Sequence, residues 1–200
     1  MINNISLNEI EQSINSINCS PDKHEWKTTT SKVFKLNVLQ FLSKFTKKNL
    51  IEMGAAQGHS TSFLSPICNK IYSIDIAEKN CNKINSLQLN NVTTVCYDLY
   101  KDDFIDKLNL KQFDIAIIDC IHDKEHINKD IDTVLKLNVK IIIFDDYGMF
   151  PEVKFAVDKF CKKVNCKKIF IGSPPNTFFK NTKNKICLDW EGVICILDEI

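Results

Sequence analysis

The sequence predicts an α/β fold with a doubly wound, mostly parallel seven-stranded sheet and an antiparallel last strand. The main observation is a series of seven short apolar runs rich in Ile and Val, which is typical of strands buried on both faces of a parallel sheet. Segments with apolar residues at helical spacing separate most of these runs. The runs are residues 50–53, 71–74, 92–96, 115–118, 139–144, 168–171 and 193–197.

The helical segments alternate with the strands along most of the chain. One apolar stripe precedes the first run, a second follows the fourth run, and a third follows the fifth run, where Pro151 suits a first helical turn. Alternating strands and helices imply right-handed crossovers, which place helices on both faces of the sheet. The stripes are Phe34, Val38, Phe41, Leu42 and Phe45; Ile127, Ile131, Val134 and Leu135; and Val153, Val157, Phe160 and Val164.

The last two runs break this alternation. A polar loop joins residues 168–171 to residues 193–197, and it carries no helical stripe. Parallel neighbours need a crossover connection, usually a helix, whereas antiparallel strands do not. We therefore predict an antiparallel pair at one edge of the sheet.

Length and composition are those of one soluble domain. We assign residues 31–200 to the main domain and residues 1–30 to a small N-terminal cap. The net charge of +1 and the even spread of charged residues disfavour nucleic acid as the partner and leave a small-molecule partner and a homodimer open. No apolar run approaches the roughly 20 residues of a membrane span, so we expect no membrane partner.

The cysteines indicate a cytoplasmic protein. There are nine, an odd number, and none forms a C-x-x-C pair. Several lie inside apolar runs, where a free thiol behaves as a small buried hydrophobe. The N-terminus lacks the apolar core of a signal peptide. We therefore expect a reducing compartment, free thiols and no structural zinc.

A glycine turn follows the first run and predicts a ligand site. The chain has only five Gly, and Gly54 and Gly58 stand four residues apart in this turn. Glycine lets the backbone approach a ligand closely and adopt a positive φ, and the helix that follows would point its N-terminus at the ligand. A ligand bound here would lie against Gly54, Gly58 and the helix that begins near Ser60.

Acidic residues follow the next four runs. Asp75 and its neighbour Ile76 come 21 and 22 residues after Gly54, where a carboxylate can accept hydrogen bonds from both ribose hydroxyls. Because parallel strands end at one edge of the sheet, the acids should gather there, which is unfavourable unless they bind something. The other acids at this edge are Asp98, which could meet the exocyclic amine of an adenine, Asp119, Asp145 and Asp146.

The first part of this pattern resembles the class I S-adenosylmethionine-dependent methyltransferases. Glu52-x-Gly54-x-x-x-Gly58 looks like their first motif, and Asp75 looks like the acid of their second. The resemblance implies a Rossmann-like methyltransferase fold with S-adenosylmethionine as cofactor. It also implies that Asp75 holds the ribose and that Ile76, Asp98 and Asp119 complete the cofactor site. The methionine part would be held by Glu52 and the glycine turn, with Gly54, Ala55, Ala56, Gly58 and Ser60.

The downstream part resembles methyltransferase family 24 and the catechol and caffeoyl-CoA O-methyltransferases. The resemblance lies in Asp119-x-x-His122 and in the run Asp145-Asp146-Tyr147. It implies catalytic roles for Asp119, His122, Asp145 and Asp146, and a divalent metal such as Mg²⁺ on Asp119, Asp145 and Asp146. Two departures leave metal-free catalysis open, because the relatives usually carry Asn at the position of Asp146 and Lys at the position of His122.

The expected function is transfer of a methyl group to a hydroxyl, or an amine, of a small molecule. Two alternatives stay open. A non-catalytic nucleotide-fold module would have no reason to keep the carboxylates at the sheet edge. An NAD-binding oxidoreductase predicts G-x-G-x-x-G at the first turn, whereas this chain has Ala56 in place of the second Gly.

Overall fold

The structure is a computed structural model that describes residues 30–45, 48–109, 112–179 and 185–197. The predicted N-terminal cap, apart from Thr30, lies outside the described residues.

The predicted sheet is confirmed, with seven strands in the order β3-β2-β1-β4-β5-β9-β6. The first five strands in this order run parallel, and β9 pairs antiparallel with both β5 and β6. The last strand therefore lies between β5 and β6, and β6 forms the edge. The strands are β1 Asn49–Met53, β2 Lys70–Asp75, β3 Val92–Cys96, β4 Ile115–Ile118, β5 Ile141–Phe144, β6 Lys167–Ile171 and β9 Gly192–Ile196.

A small hairpin that the sequence did not predict interrupts the loop between β6 and β9. Its strands are β7 Phe178–Phe179 and β8 Lys185–Ile186, which pair antiparallel outside the main sheet. The hairpin contributes two residues from each strand, too few for an apolar pattern to stand out in the sequence.

Within the described ranges, five helices cover the sheet, and none of them is long and apolar enough to span a membrane. The helix ends follow from local chemistry. Asp123 caps one helix by accepting a hydrogen bond from His126 N–H at 2.9 Å, and Pro151 starts another. The helices are α1 Lys32–Leu42, α2 His59–Leu64, α3 Glu78–Asn85, α4 Lys124–Lys136 and α5 Pro151–Val164, with 3₁₀ turns at Ser65–Ile67 and Ile105–Lys107.

Two apolar cores lie on opposite faces of the sheet. Successive residues of a strand point to opposite faces, so Leu50 joins the core under α1 and α2 whereas Ile51 joins the core under α4 and α5. Burial on both faces explains why the strands appear in the sequence as continuous apolar runs rather than alternating ones. The sheet is thus a rigid platform whose carboxyl edge carries the loops that follow β1 to β5.

One prediction about the cysteines is wrong. Cys161, near the end of α5, and Cys166, just before β6, form a disulfide. The other six described cysteines are free thiols. The bond could not be predicted from the spacing of the cysteines, because it depends on a left-handed residue, Asn165, which ends α5 between them and turns the chain back on itself.

Truncation of Phe144 tests the core. This side chain on β5 is fully buried, so Phe144→Ala should lower the free energy of unfolding by about 3–5 kcal/mol, from lost burial and the remaining cavity. Phe155→Ala is the matched control, since that ring is 56% exposed and its loss should change stability by less than about 0.5 kcal/mol. Urea unfolding followed by circular dichroism measures both. Equal effects of the two substitutions would contradict the assigned core.

Candidate active site

The loop after β1 is held in a left-handed turn directly against the loop after β4. Gly54 has φ +85°, and a Cβ there would overlap the carbonyl group of Asp119. Gly58, with φ +81°, precedes the first turn of α2. The amides of Gly54 and Ala55 both donate to the Ile74 carbonyl of β2, at 3.0 and 2.9 Å. Both positions therefore favour glycine, as predicted, because their backbones have a positive φ. At Gly54 a side chain is also excluded by the close packing of two backbone segments.

Glu52 lies beneath this loop and is only 2% exposed. Its Oε2 accepts hydrogen bonds from the hydroxyls of Thr61 in α2, at 2.5 Å, and Ser73 in β2, at 2.8 Å. Burial raises the pKa of Glu52 to about 7, against the hydrogen bonds from Thr61 and Ser73, which lower it. Glu52 thus ties the glycine loop to its neighbours from below.

Asp75 joins three segments at the tip of β2. Its Oδ2 accepts a hydrogen bond from Ala56 N–H at 2.9 Å. Its Oδ1 accepts from Ala77 N–H at 2.8 Å and from the side-chain amide of Asn80 at 3.0 Å. A carboxylate offers about four acceptor sites, so one direction on Oδ2 is left for a ligand hydroxyl.

A cavity of about 230 Å³ opens between the glycine loop, the start of α3 and Asp119. Five predicted cofactor residues line it, namely Gly54, Ala55, Ala56, Ser60 and Asp119. The other predicted residues do not line the cavity. Glu52 and Gly58 hold the loop, Asp75 accepts hydrogen bonds from Ala56 and Asn80 of the cavity wall, Ile76 is 70% exposed, and Asp98 accepts a hydrogen bond from Tyr100 N–H at 2.9 Å.

Sequence reasoning missed half of the cavity wall. Lys79 and Asn80 lie four and five residues after Asp75, one helical turn on, and this spacing could have indicated them. Thr30 reaches the cavity from outside the assigned main domain, and nothing in the sequence marks it. The residues missed are Thr30, Gln57, His59, Lys79 and Asn80.

Three of the predicted catalytic residues converge after β4 and β5. Nε2 of His122 lies 3.4 Å from Oδ1 of Asp119 and 3.1 Å from Oδ2 of Asp146. The imidazole also stacks on the ring of Phe150, with 4.4 Å between the ring centres. Asp146 adopts a left-handed backbone with φ +58°, which turns its carboxylate back toward His122.

The two carboxylates set the protonation state of His122. Burial lowers the pKa of this imidazole, but the contacts with Asp119 and Asp146 outweigh it and raise the pKa to about 9. Removal from water raises the pKa of Asp119, and His122 partly offsets this effect. At neutral pH the side chain of His122 is thus cationic in this arrangement, whereas a general base needs a neutral imidazole.

The arrangement of the predicted metal ligands differs from the expected one. The group whose ligand atoms lie within 4.8 Å of one another is Asp119, His122 and Asp146, and it does not include Asp145. Asp145 is only 6% exposed, and its Oδ1 accepts a hydrogen bond from Asp146 N–H at 2.8 Å. Burial and the nearby charge of Asp146 raise the pKa of Asp145 well above its usual range. Asp145 is therefore directed away from the group formed by Asp119, His122 and Asp146.

The sheet order and the cleft at its carboxyl edge define the Rossmann-like fold of class I methyltransferases. The profile of the methyltransferase domain of family 24 matches residues 51–147, from β1 through the Asp145-Asp146-Tyr147 run. The match covers the segment that carries the motifs, so the resemblance found in the sequence is confirmed over these residues. No curated protein matches the sequence.

Solved structures share the fold at low sequence identity. A Streptococcus mutans protein assigned as a methyltransferase and solved with SAH is 18% identical, with a TM-score of 0.62 over 84% of this chain and 100% of that one. A Staphylococcus aureus protein assigned as a caffeoyl-CoA O-methyltransferase is 14% identical, with a TM-score of 0.56 over 82% and 80%. An rRNA methylase from Streptococcus thermophilus is 14% identical, with a TM-score of 0.55 over 86% and 99%.

Glu52→Gln tests the buried carboxyl under the glycine loop. The folded protein keeps the Glu52 proton up to about pH 7, whereas the unfolded chain releases it near pH 4.5. The contribution of Glu52 to stability therefore falls as the pH rises from about 4.5 to about 7. We therefore compare the unfolding free energy of Glu52→Gln with that of wild type at two pH values. The difference should shift in favour of the variant by on the order of 3 kcal/mol when the pH is raised from 4.5 to 8. Urea unfolding at both pH values measures this change, and a difference that is independent of pH would contradict it.

Asp146→Asn tests the ion pair at His122. Loss of one flanking carboxylate should lower the pKa of His122, which is about 9 in the wild type, by about one pH unit or more. The measurement is an NMR titration of the imidazole in metal-free buffer. Asp132→Asn, on the exposed side of α4, is the control and should leave the titration unchanged. A His122 that titrates alike in both variants would show that Asp146 does not contact it in solution.

Proposed function

We propose that the protein is an S-adenosylmethionine-dependent methyltransferase that methylates a hydroxyl, or an amine, of a small molecule. The observation that carries the proposal is the cavity at the carboxyl edge, where the glycine loop, the start of α3 and Asp119 meet within a matched methyltransferase domain. Ligands of open α/β sheets bind at this edge.

The residues present fit the cofactor in three respects. Asp75 keeps an acceptor direction for a ribose hydroxyl beside Ala56. Ile76 leaves 70% of its surface exposed at the tip of β2, where an adenine ring would cover it. Lys79, a cation in the cavity wall, suits the carboxylate of the methionine part. When bound, S-adenosylmethionine supplies an electrophilic methyl group on a positively charged sulfur.

The cluster of Asp119, His122 and Asp146 would receive the acceptor. Asp119 lies both in the cavity wall and in this cluster, so the cofactor site and the proton-handling groups are contiguous. A carboxylate of the cluster can take the acceptor proton, and the cationic His122 beside it can hold the acceptor oxygen by a charge-assisted hydrogen bond. Most of the acceleration would come from aligning the acceptor with the methyl group.

A divalent metal is a second way to activate the acceptor at the same cluster. Asp119, His122 and Asp146 offer one nitrogen and two carboxylate oxygens within 4.8 Å of one another. Such a mixed set suits Zn²⁺ or Mn²⁺ better than Mg²⁺, which prefers oxygen ligands. We propose metal-free catalysis as the simpler mechanism, because His122 already neutralises part of the charge of the two carboxylates.

The acceptor class rests on composition and size. The chain carries a net charge of +1 and no Arg, so it offers little attraction for a phosphate backbone. A small acceptor suits the short loops after β4 and β5. Because an rRNA methylase shares the fold, RNA is the alternative acceptor that the experiments must include.

Calorimetric titration with S-adenosylmethionine tests the cofactor. We expect micromolar binding that Asp75→Ala weakens by roughly 10-fold to 100-fold, because charge-assisted hydrogen bonds to the ribose are lost. Asp132→Ala, an exposed acid on α4, is the matched control and should bind like wild type. A folded protein that binds NAD⁺ instead would support the oxidoreductase, and one that binds neither would support the non-catalytic module.

The acceptor is then sought with radiolabelled cofactor. Methyl transfer to small hydroxylated compounds, abolished in Asp119→Asn and unchanged by a chelator, is the expected result. Activity that a chelator removes and Mn²⁺ restores would contradict metal-free catalysis and support a metal bound at the cluster. Transfer to RNA but to no small molecule would overturn the small-molecule acceptor.

A further inference from the structure

Three cysteine side chains that follow the methyltransferase motifs in the sequence lie close together in the structure. Cys161 comes from the last turns of α5, Cys166 from the turn before β6, and Cys195 from β9. Their sulfur atoms all lie within 4.8 Å of one another. Cys161 is the common member, because it forms the disulfide with Cys166 and its sulfur lies 3.3 Å from that of Cys195.

The three cysteines of this cluster differ in their burial. Cys195 is fully buried, Cys161 is 5% exposed, and Cys166 is half-buried, so Cys166 is the most accessible of the three. Lys168 is the register partner of Cys195 in the antiparallel ladder, and paired residues face the same side of the sheet.

We propose that the reduced cluster of Cys161, Cys166 and Cys195 is a thiolate site for one Zn²⁺ ion, with a solvent molecule as fourth ligand on the side of Cys166. Zinc at about 2.3 Å from each sulfur places the sulfur atoms roughly 3.8 Å apart. The distance between the sulfur atoms of Cys161 and Cys195, which is 3.3 Å in the structure, would therefore need to increase by only about half an ångström. This inference is independent of the proposed methyl transfer.

Charge selects a divalent ion over a monovalent one. Three thiolates carry three negative charges, so Zn²⁺ leaves one and Cu⁺ would leave two in a largely buried place. A single residual charge can be balanced by Lys168, although Lys168 also contacts Asp158 at 2.7 Å. Soft thiolate ligands exclude Mg²⁺ and Ca²⁺.

Zinc binding requires the disulfide to be open. A dithiol reductant delivers two electrons and two protons to the Cys161–Cys166 bond, yields two thiols and itself becomes a disulfide. Zn²⁺ then binds three thiolates, and three protons pass to water. A disulfide oxidant, which takes two electrons from the two thiolates and two protons from water and becomes a dithiol, would re-form the Cys161–Cys166 bond and release the ion. The site therefore excludes zinc when the disulfide is present.

Cadmium titration of the reduced, metal-free protein tests this proposal, because Cd²⁺ binds the same ligands and its thiolate bonds absorb in the ultraviolet. Mass spectrometry after alkylation first verifies that all nine cysteines are reduced. We expect one equivalent to bind with a charge-transfer band, and Zn²⁺ to compete for the site. Cys166→Ser and Cys195→Ala should each weaken binding on the order of 100-fold.

Cys96→Ser is the matched control, since Cys96 is an exposed free thiol outside the cluster, and it should bind like wild type. Should Cys195→Ala fail to fold, the half-buried Cys166→Ser decides the outcome. Equal cadmium affinity in wild type and in Cys166→Ser would overturn the site, and so would a disulfide that withstands the reductant in the folded protein. Zinc should also raise the melting temperature of the reduced wild type but not of Cys166→Ser.

Discussion

The contact between Gly54 and the backbone of Asp119 is the constraint on which the candidate site depends. β1 lies between β2 and β4 in the sheet, so the loops that follow these strands emerge side by side. A side chain at Gly54 would push the loop after β4 away. Its absence lets Asp119 form one wall of the cavity while its carboxylate contacts His122. The proposed cofactor site and the proposed proton-handling groups are therefore joined through one short segment.

Electrostatics at this edge follows from the way the carboxyls are placed. Glu52 and Asp145 face inward, where burial raises the pKa of both. Asp75, by contrast, is half-buried and accepts three hydrogen bonds from the chain. The two inward carboxyls accept hydrogen bonds from within the protein, whereas Asp119 lies in the cavity wall. Residues of one chemical type take different roles because their solvation differs.

Much of the fold could be predicted from the sequence because strands buried on both faces need continuous apolar runs. All seven strands of the sheet lie at the predicted runs, and the antiparallel last strand followed from the missing helix before it. The position of β9 between β5 and β6 could not be predicted, since a pairing order depends on contacts between distant residues. The hairpin of β7 and β8 was too short to leave a pattern.

The location of the candidate site could be predicted from where the strands end in the sequence, without knowledge of side-chain geometry. Strand ends bring Gly54, Asp75 and Asp119 to one edge whatever their rotamers, and the structure places them there. Whether Asp145 or His122 joins Asp119 and Asp146 depends on the left-handed backbone at Asp146, which the sequence does not reveal. The same limit applies to the thiol cluster, where the turn at Asn165 brings Cys166 back to Cys161.

Amide hydrogen exchange with and without S-adenosylmethionine is the most direct test of the central claim. We expect the cofactor to slow exchange in three separate segments, residues 54–60, 76–80 and 119–122, which the structure brings to one cavity. Residues of β6 and β9, at the far edge of the sheet, should be unaffected. Protection confined to one of the three segments, or located outside them, would contradict a cofactor site built on the contact between Gly54 and Asp119.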